Sequence, residues 1–575
     1  MDRHQQGSTA GLAGHSADQL CPPAFEGFRA EWILHEDEDL IVLNKPAGIS
    51  SQAAAASHPD DIVSRLRAFL ALRAGCDEER IYLGVHQRLD QETSGVLLLT
   101  RRPEANAVIA DQFARRAIGK EYLACVAGFQ GQARTLRHHL AKGRDGSQVV
   151  VDGRARAKLA VTHVAPIECV GERTLVRLGC ETGRTHQLRV QLATIGCPIA
   201  GDGRYGGPPA PRLLLHAKRL RMQHPDGSMR EWEAPLPDAF ALWMARGMAP
   251  ELDTQQLRAA LPTAVARRYR AWLQASSEQP TTAFRLVHGE ADGLPGLAVD
   301  VYGEFLVAHL FDGAFAAEDA VVQALSELGF AGIYLKRHPK QKNVLADAQA
   351  RELCPVGPVW GRAAPDPLIV HEYGVPLPVR LGDGLRTGLF LDQRANRQRV
   401  GELACGKRLL NLFAYTCGFS VVALSREASA VVSVDVSGAA LSRGSAHIAT
   451  LGKSARHRAI TGDVFEVLPR MQRRGELFDV IVLDPPSYAT TKRRRFRAIK
   501  DYPKLVAAAL PLLAPGGSLL SCINHHQVSS AQFRALILAG AAGATIGLTD
   551  CRELPLPRDF PGAQPLFKTW LCRRA

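Results

Sequence analysis

Twelve cysteines are spread from Cys21 to Cys572 without one C-x-x-C pair, which argues against a structural zinc site and against a disulfide framework. No metal is expected, and a reducing cytoplasm is the simplest home. No apolar segment approaches the length needed to span a bilayer, so no membrane partner is expected either. The opening stretch, Met1 to Gln19, is rich in Gly, Ser, His and Gln but has no apolar h-region, so residues 1–25 read as a disordered leader and not a signal peptide. Internal repeats are absent, which means the two halves differ in architecture. Nothing marks an obligate protein partner.

What the chain does have is length and positive charge. Its 575 residues exceed what one hydrophobic core usually supports, and a 46% hydrophobic content makes the resulting domains globular. A net charge of +13 attracts polyanions at long range, nucleic acid or a membrane surface, between which charge alone does not choose. Glu31 to Leu43 (EWILHEDEDLIVL) sets two apolar clusters around an acidic turn, a hairpin signal, and Asn44 to Gly48 (NKPAG) closes it as a loop. Residues 251–275 carry Leu257, Leu261, Val265, Tyr269 and Trp272 at helical spacing, a connector helix that Pro262 must kink or interrupt. A β-rich pattern begins at Phe284. From about Leu409 the apolar runs LLNLF, VVSVDVS and FDVIVLDPP alternate with helices, as a parallel, doubly wound sheet does.

In the N-terminal half Asp90 lies in HQRLDQETSG, ahead of the apolar strand Val96 to Leu99. A carboxylate at a loop edge beside Arg88 can stay ionised and reach a ligand, or can be an ordinary turn aspartate. The surrounding blocks decide between them. ILHEDEDLIVLNKPAG, HQRLDQETSGVLLLTR, KEYLACVAG, ETGRTHQLRVQL, GDGRYGG and LHAKRLRMQHP, in order over residues 30 to 235, resemble the RluA family of pseudouridine synthases. The resemblance implies no cofactor, with Asp90 as catalytic aspartate, Tyr122 packing on the base and Arg184 as the aspartate's basic partner. Asp90 would attack the sugar or remove a ribose proton, Tyr122 would offer a stacking face and a phenol, and Arg88 would contact backbone or fill the space a flipped uridine leaves. Gln191 stands where that family usually has histidine.

In the C-terminal half, LLNLFAYTCGFSVV is a strand running through a small-residue turn into a helix, without the usual G-x-G-x-G. The next strand ends at Asp435, which can hold ribose hydroxyls; Gly462-Asp463 follows, and a further strand ends in Asp484-Pro485-Pro486-Ser487-Tyr488. A dinucleotide-binding domain shares the first features, but a Pro-Pro loop beneath which a flipped base stacks on Tyr488 suits methyl transfer. DGLPGLAVDVYGEFLV, RTGLFLDQRANR, NLFAYTCGFSV, SVDVS, GDVFEVL and LDPPSY, across Phe284 to Cys572, resemble the RlmI and RlmK type of ribosomal RNA large-subunit methyltransferases. This resemblance implies S-adenosylmethionine held by Asp392, Gln393 and Arg394, by the turn from Asn411 to Gly418 with Phe413, Tyr415 and Thr416, by Asp435 at ribose and by Asp463 near adenine, with Asp484 at its edge.

The fold expected from both halves is an α+β pseudouridine synthase domain with a mixed, largely antiparallel sheet (26–240), a helical connector (241–282), a small α+β domain (283–370) and an α/β Rossmann-like class I methyltransferase domain (371–575). The run Lys492, Arg493, Arg494, Arg495, Phe496, Arg497 is a solvated loop or, beside a base-binding loop, a phosphate contact. RNA is the expected partner, large-subunit ribosomal RNA first, with transfer RNA open for the synthase half. As for the atom methylated, cytosine carbon 5 requires a cysteine, which the resemblance puts eight residues beyond Gly516, where this chain has Asn524. Cys522 lies two strand residues away, roughly 6.6 Å. Guanine N7, positioned by Asn524, Asp484 and Tyr488, is therefore favoured over cytosine carbon 5. A rival is an RNA-binding assembly factor with a decayed site, against which intact Asp90, Tyr122, Arg184, Asp435 and Asp484 speak.

Overall fold

The computed structural model describes residues 25, 27–52, 60–129, 131–143, 147–150, 157–249, 251–273, 279–311, 313–339, 352–490, 495–562 and 567–575. Lys492, Arg493 and Arg494 of the basic run and all of the leader except Phe25 lie outside those residues. Phe25 itself is buried and stacks on Trp272 with ring centroids 4.8 Å apart, so the end of the predicted leader belongs to a core.

The N-terminal half is built on an eleven-stranded sheet. Its strand pairings are antiparallel except that of Leu215–Gln223 with Ser94–Thr100, which matches the expected mixed character. The hairpin read from residues 31–43 forms as Ile33–Glu36 against Leu40–Lys45. Ser94–Thr100 is buried along its whole length, as the continuous apolar run SGVLLLT requires of a central strand. It also explains Gly95, whose φ is +113° and where a Cβ would stand 2.2 Å from the Ala217 carbonyl oxygen of the parallel neighbour.

In the connector, which begins within the helix Asp238–Arg246, the helix expected over residues 251–275 forms as Thr254–Leu273 and is not interrupted at Pro262. It does not hang between domains. Leu257, Leu261, Val265 and Trp272 pack into one core with Phe284, Leu286, Val299 and Leu306 of the following five-stranded sheet.

The C-terminal domain carries a seven-stranded sheet. We label its strands β1 (Arg408–Leu412), β2 (Ala430–Asp435), β3 (His457–Thr461), β4 (Phe478–Leu483), β5 (Leu513–Asn524), β6 (Leu548–Leu554) and β7 (Phe567–Arg574). The order is β3-β2-β1-β4-β5-β7-β6, parallel through β5, with β7 antiparallel to both its neighbours. Leu410, Leu412, Ile481 and Leu483 fill one face and Leu409, Val480 and Val482 the other, so these strands are buried on both sides. The winding order reverses between the parallel strands β1 and β4, and the crevice outside those strand ends is where an open α/β sheet binds ligands.

Buried ion pairs join the halves. Arg267 of the connector helix grips Glu92, two residues beyond Asp90, and also reaches Asp292 at 2.6 Å. Arg268 holds both oxygens of Asp292 at 2.6 Å and reaches the Asp559 carbonyl at 3.3 Å. The Asp559 carboxylate in turn holds Arg394 at 2.6 Å. The backbones also approach closely: a Cβ at Gly293 (φ +70°) would lie 2.5 Å from the Pro211 carbonyl.

Candidate active sites

In the synthase half two loops clamp each other. Lys45, fully buried, donates from Nζ to the carbonyls of Pro46, Ile49 and Gln91, and burial pushes its pKa down to about 7. Gln91 donates to Gly48, and Ser51 bonds both the Leu89 amide and its carbonyl. The NKPAG loop thus fixes the RLDQETSG loop on either side of Asp90. Across the cleft, Gln187 Oε1 accepts from Thr182 and from the Arg184 amide while its Nε2 donates to Val161 and Thr162. That anchor starts the helix Gln187–Thr194 after His186 in a left-handed conformation (φ +52°).

The basic partner of Asp90 is Arg189 and not Arg184. Arg189 Nη1 stands 3.4 Å from the Asp90 carboxylate, while its Nε and Nη2 bond Asp202 at 2.7 and 2.8 Å. Arg184 is half-buried, donates to the Leu159 carbonyl and lines the cleft without pairing to Asp90. His186 Nε2 is 3.8 Å from Asp90, and its Nδ1 meets the Tyr205 hydroxyl at 2.9 Å. Burial tends to lower the Arg189 pKa, but the carboxylates of Asp202 and Asp90 outweigh it and the guanidinium is held above its usual value. Burial pushes the Tyr122 phenol well above its ordinary range and, at His186, lowers the imidazole despite Asp90. Tyr122, Arg88, Asp90, His186 and Arg189 line one cleft of about 800 Å3. His186, Arg189, Asp202 and Tyr205 were not singled out from sequence. The available signal was Arg189 itself, one charge between Leu188 and Val190 in a short apolar helix. Gln191 is fully buried and hydrogen-bonded to Thr162, so histidine's absence leaves no gap.

In the methyltransferase half, the turn after β1 is strained: Phe413, Tyr415 and Cys417 have φ of +60°, +49° and +65°, rare for residues other than glycine. Asp435 at the end of β2 holds it, accepting from the Tyr415 amide at 2.8 Å and the Ser437 amide at 2.7 Å. Thr416 donates to the Gly388 carbonyl, and Tyr415 packs by Phe390 at 5.8 Å. Asp463 caps the next helix through the Phe465 amide. Two expected cofactor contacts are otherwise engaged. Asn411 is 1% exposed and donates to Ser420, supporting the turn from inside. Arg394 is buried in its pair with Asp559 and in a bond to the Ala283 carbonyl.

Gln393 Nε2 bonds Asp484 at 2.9 Å, at the end of β4. Burial first, and then the neighbouring Asp392, push the Asp484 pKa up to about 7, and burial raises that of Asp392 as well. Tyr488 opens a short strand that pairs antiparallel with Arg495–Arg497, placing Tyr488 opposite Arg497. Asn524 is exposed at the end of β5, whereas Cys522 is buried, with Sγ 3.7 Å from Thr569 and 3.9 Å from Gln393. A strained turn at the mouth of the crevice, an acidic residue at the end of β2 and a carboxylate pair beyond β4 fit S-adenosylmethionine.

Comparison with known proteins agrees with this geometry. Residues 303–569 match the S-adenosylmethionine-dependent methyltransferase family and residues 39–194 the RNA pseudouridylate synthase family. A ribosomal RNA large subunit methyltransferase of Deinococcus radiodurans is 34% identical over 301 residues, 51% of this chain and 72% of that protein. Ribosomal RNA large subunit methyltransferase I of Aeromonas salmonicida is 36% identical over 46% of this chain and 67% of its own length. A solved methyltransferase complexed with SAH aligns with TM-score 0.51 and 26% identity over 61% of this chain and 86% of that one. The molecule is thus an RNA-modifying enzyme with two catalytic domains. The chain belongs to the S-adenosylmethionine-dependent methyltransferase family of these relatives and carries an RNA pseudouridylate synthase domain in its N-terminal half.

Proposed function

We propose that this enzyme isomerises a uridine to pseudouridine and methylates a second base, guanine at N7, in 23S ribosomal RNA in the cytoplasm. In the first reaction the N1–C1′ bond breaks, a C5–C1′ bond forms, and the C5 proton leaves as N1 gains one. Asp90 is the group that acts on the ribose, as nucleophile or base, Arg189 orients it, and Tyr122 packs on the uracil. Transfer RNA is the alternative substrate of this half.

In the second reaction S-adenosylmethionine supplies an electrophilic methyl group. The turn from Phe413 to Gly418, Asp435 and Asp463 hold it, while Asp484 and Asn524 orient the base beside Tyr488. The observation that carries N7 over cytosine carbon 5 is the contrast on β5: the exposed residue is Asn524, and the nearby thiol is shut inside. Carbon 5 needs a thiolate to add at carbon 6; N7 has a lone pair and needs only placement and charge stabilisation. Nucleotide-resolution mapping of total RNA from cells with and without the gene tests both halves. One pseudouridine and one 7-methylguanine of 23S RNA should vanish together; loss of a 5-methylcytosine instead would reverse the atom assigned.

A further inference from the structure

A cavity of about 990 Å3 lies between the two halves, at the upper end of the roughly 300–1,000 Å3 typical of ligand sites. Its wall is unusual in composition, with eight arginines and six acidic residues. Most of those charges are spent on one another: Arg189 on Asp202, Arg267 on Glu92, Arg268 on Asp292 and Arg394 on Asp559. Four arginines are not, and of these Arg212 is buried and donates to the Leu213 carbonyl and the Ser94 hydroxyl, which leaves three. Arg204 of the synthase half, Arg270 of the connector helix and Arg558 before the last strand have no carboxylate within salt-bridge distance among the described residues. They come from three separate parts of the chain, and their only counterweight in the wall without an ion pair among the described residues is Glu290. Ser50, Gln91 and Arg189 line both this cavity and the synthase cleft, so the two spaces adjoin beside Asp90.

We propose that this cavity is a composite phosphate-binding site, and that Arg204, Arg270 and Arg558 hold the backbone of the RNA strand whose uridine occupies the synthase cleft. The inference rests on the assignment of RNA as substrate. Guanidinium forks match phosphate oxygens geometrically, and arginines already paired could not serve without breaking buried ion pairs. A strand leaving the Asp90 cleft beside Gln91 enters the cavity directly. The site exists only where synthase, connector and methyltransferase are docked, which gives the fusion a binding surface that neither half possesses alone.

The test uses the full chain and transcribed 23S ribosomal RNA, with filter binding at several salt concentrations and tritium release from 5-tritiated uridine. R270Q and R558Q should each raise KM for pseudouridine formation several-fold with kcat unchanged. The triple variant R204Q/R270Q/R558Q should lower the salt slope of binding by about three units, one per lost phosphate contact. Unchanged S-adenosylmethionine affinity and melting temperature serve as the folding control. An unaltered KM together with an unaltered slope overturns the proposal. Should the wild-type enzyme form no pseudouridine on this transcript, the substrate assignment fails, while the salt slopes still decide whether the cavity binds polyanion.

Discussion

The two acidic residues at the centres of the two sites are maintained in opposite ways. Asp90 sits at a loop edge with an arginine 3.4 Å and a histidine 3.8 Å away, each fixed by its own second partner. Among the described residues Asp484 has no cation bonded to it; a neutral amide holds it, a second carboxylate faces it, and burial pushes its pKa up to about 7. The Arg189 guanidinium gives Asp90 a positively charged partner that orients it as nucleophile or base. Desolvation beside a like charge lets a carboxylate hold or release a proton near neutrality, which suits orienting a base by its exchangeable protons.

Removing each centre should separate the two halves most sharply. Asp90→Ala is expected to cut pseudouridine formation by about 10^3-fold or more, in the upper range for loss of an acid–base or nucleophilic group, with methylation within about twofold of wild type. Tritium release and methyl incorporation on the same RNA measure both. A parallel fall in methylation would mean that the ion-pair chain through Glu92, Arg267, Asp292 and Arg268 couples the sites.

On the other side, Asp435→Ala should weaken S-adenosylmethionine binding by about 10- to 100-fold, since charge-assisted hydrogen bonds contribute about 1.5–3 kcal/mol. The Tyr415 and Ser437 amides would lose their acceptor and the strained turn its tether. Calorimetry with an unchanged affinity would remove Asp435 from the cofactor site.

Arg189→Lys tests the charged surroundings of Asp90. A lysine keeps the charge but not the fork that spans Asp202 and Asp90, so kcat for pseudouridine should fall about tenfold with KM little changed. Arg184→Ala should leave kcat within about twofold, since the guanidinium is outside the ion pair. If the two outcomes were exchanged, the pairing with Asp90 described above would be wrong.

The desolvated carboxylate should reveal itself through pH. With a folded pKa of about 7 against an unfolded value near 4, Asp484 binds its extra proton in the folded state between those values. Its contribution to stability is present below pH 4 and is lost as pH rises through 7. An ionised Asp484 accepts the exchangeable protons of guanine, so methylation kcat/KM should climb about tenfold per pH unit below 7 and level off above it. In Asp484→Asn the inflection should disappear and leave a low, flat profile.

Much of this was legible in the sequence, and what was missed has a common cause. Strand runs such as SGVLLLT and FDVIVL and the acidic residues that end β2 and β4 announce themselves locally, because burial on both faces and strand termination leave marks within a few residues. The sequence points to Arg184 instead of Arg189 beside Asp90, and to Arg394 at the cofactor, because the partners of Arg189 and Arg394, Asp90 and Asp559, lie 99 and 165 residues away. A motif shows that an arginine is needed but not which carboxylate it meets. The connector helix was read correctly from its period, yet Pro262 did not break it: packing of Leu257, Leu261 and Val265 into a shared core overrode the local preference.

The smallest expected effect bears on the finest distinction, the atom methylated. Burial raises the Cys522 thiol well above its ordinary pKa, and nearby Asp484 adds to the shift, so the thiolate that attack would need is disfavoured. Its neighbours Thr569 and Gln393 close over the sulfur, and attack on a base would require β5 to slip by two residues, moving Asn524 out of line as well. Cys522→Ala removes a small buried group and should cost about 1 kcal/mol of stability while methylation stays within about threefold. The sharper measurement is covalent trapping. A cysteine that adds to carbon 6 of 5-fluorocytidine stays bonded to the RNA, because fluorine at carbon 5 blocks the proton loss that would release it. A band surviving on a denaturing gel with wild-type enzyme and absent with Cys522→Ala would make Cys522 the nucleophile and cytosine the substrate. No such band, with methylation retained, leaves Asn524 and Asp484 orienting a guanine whose N7 attacks unaided.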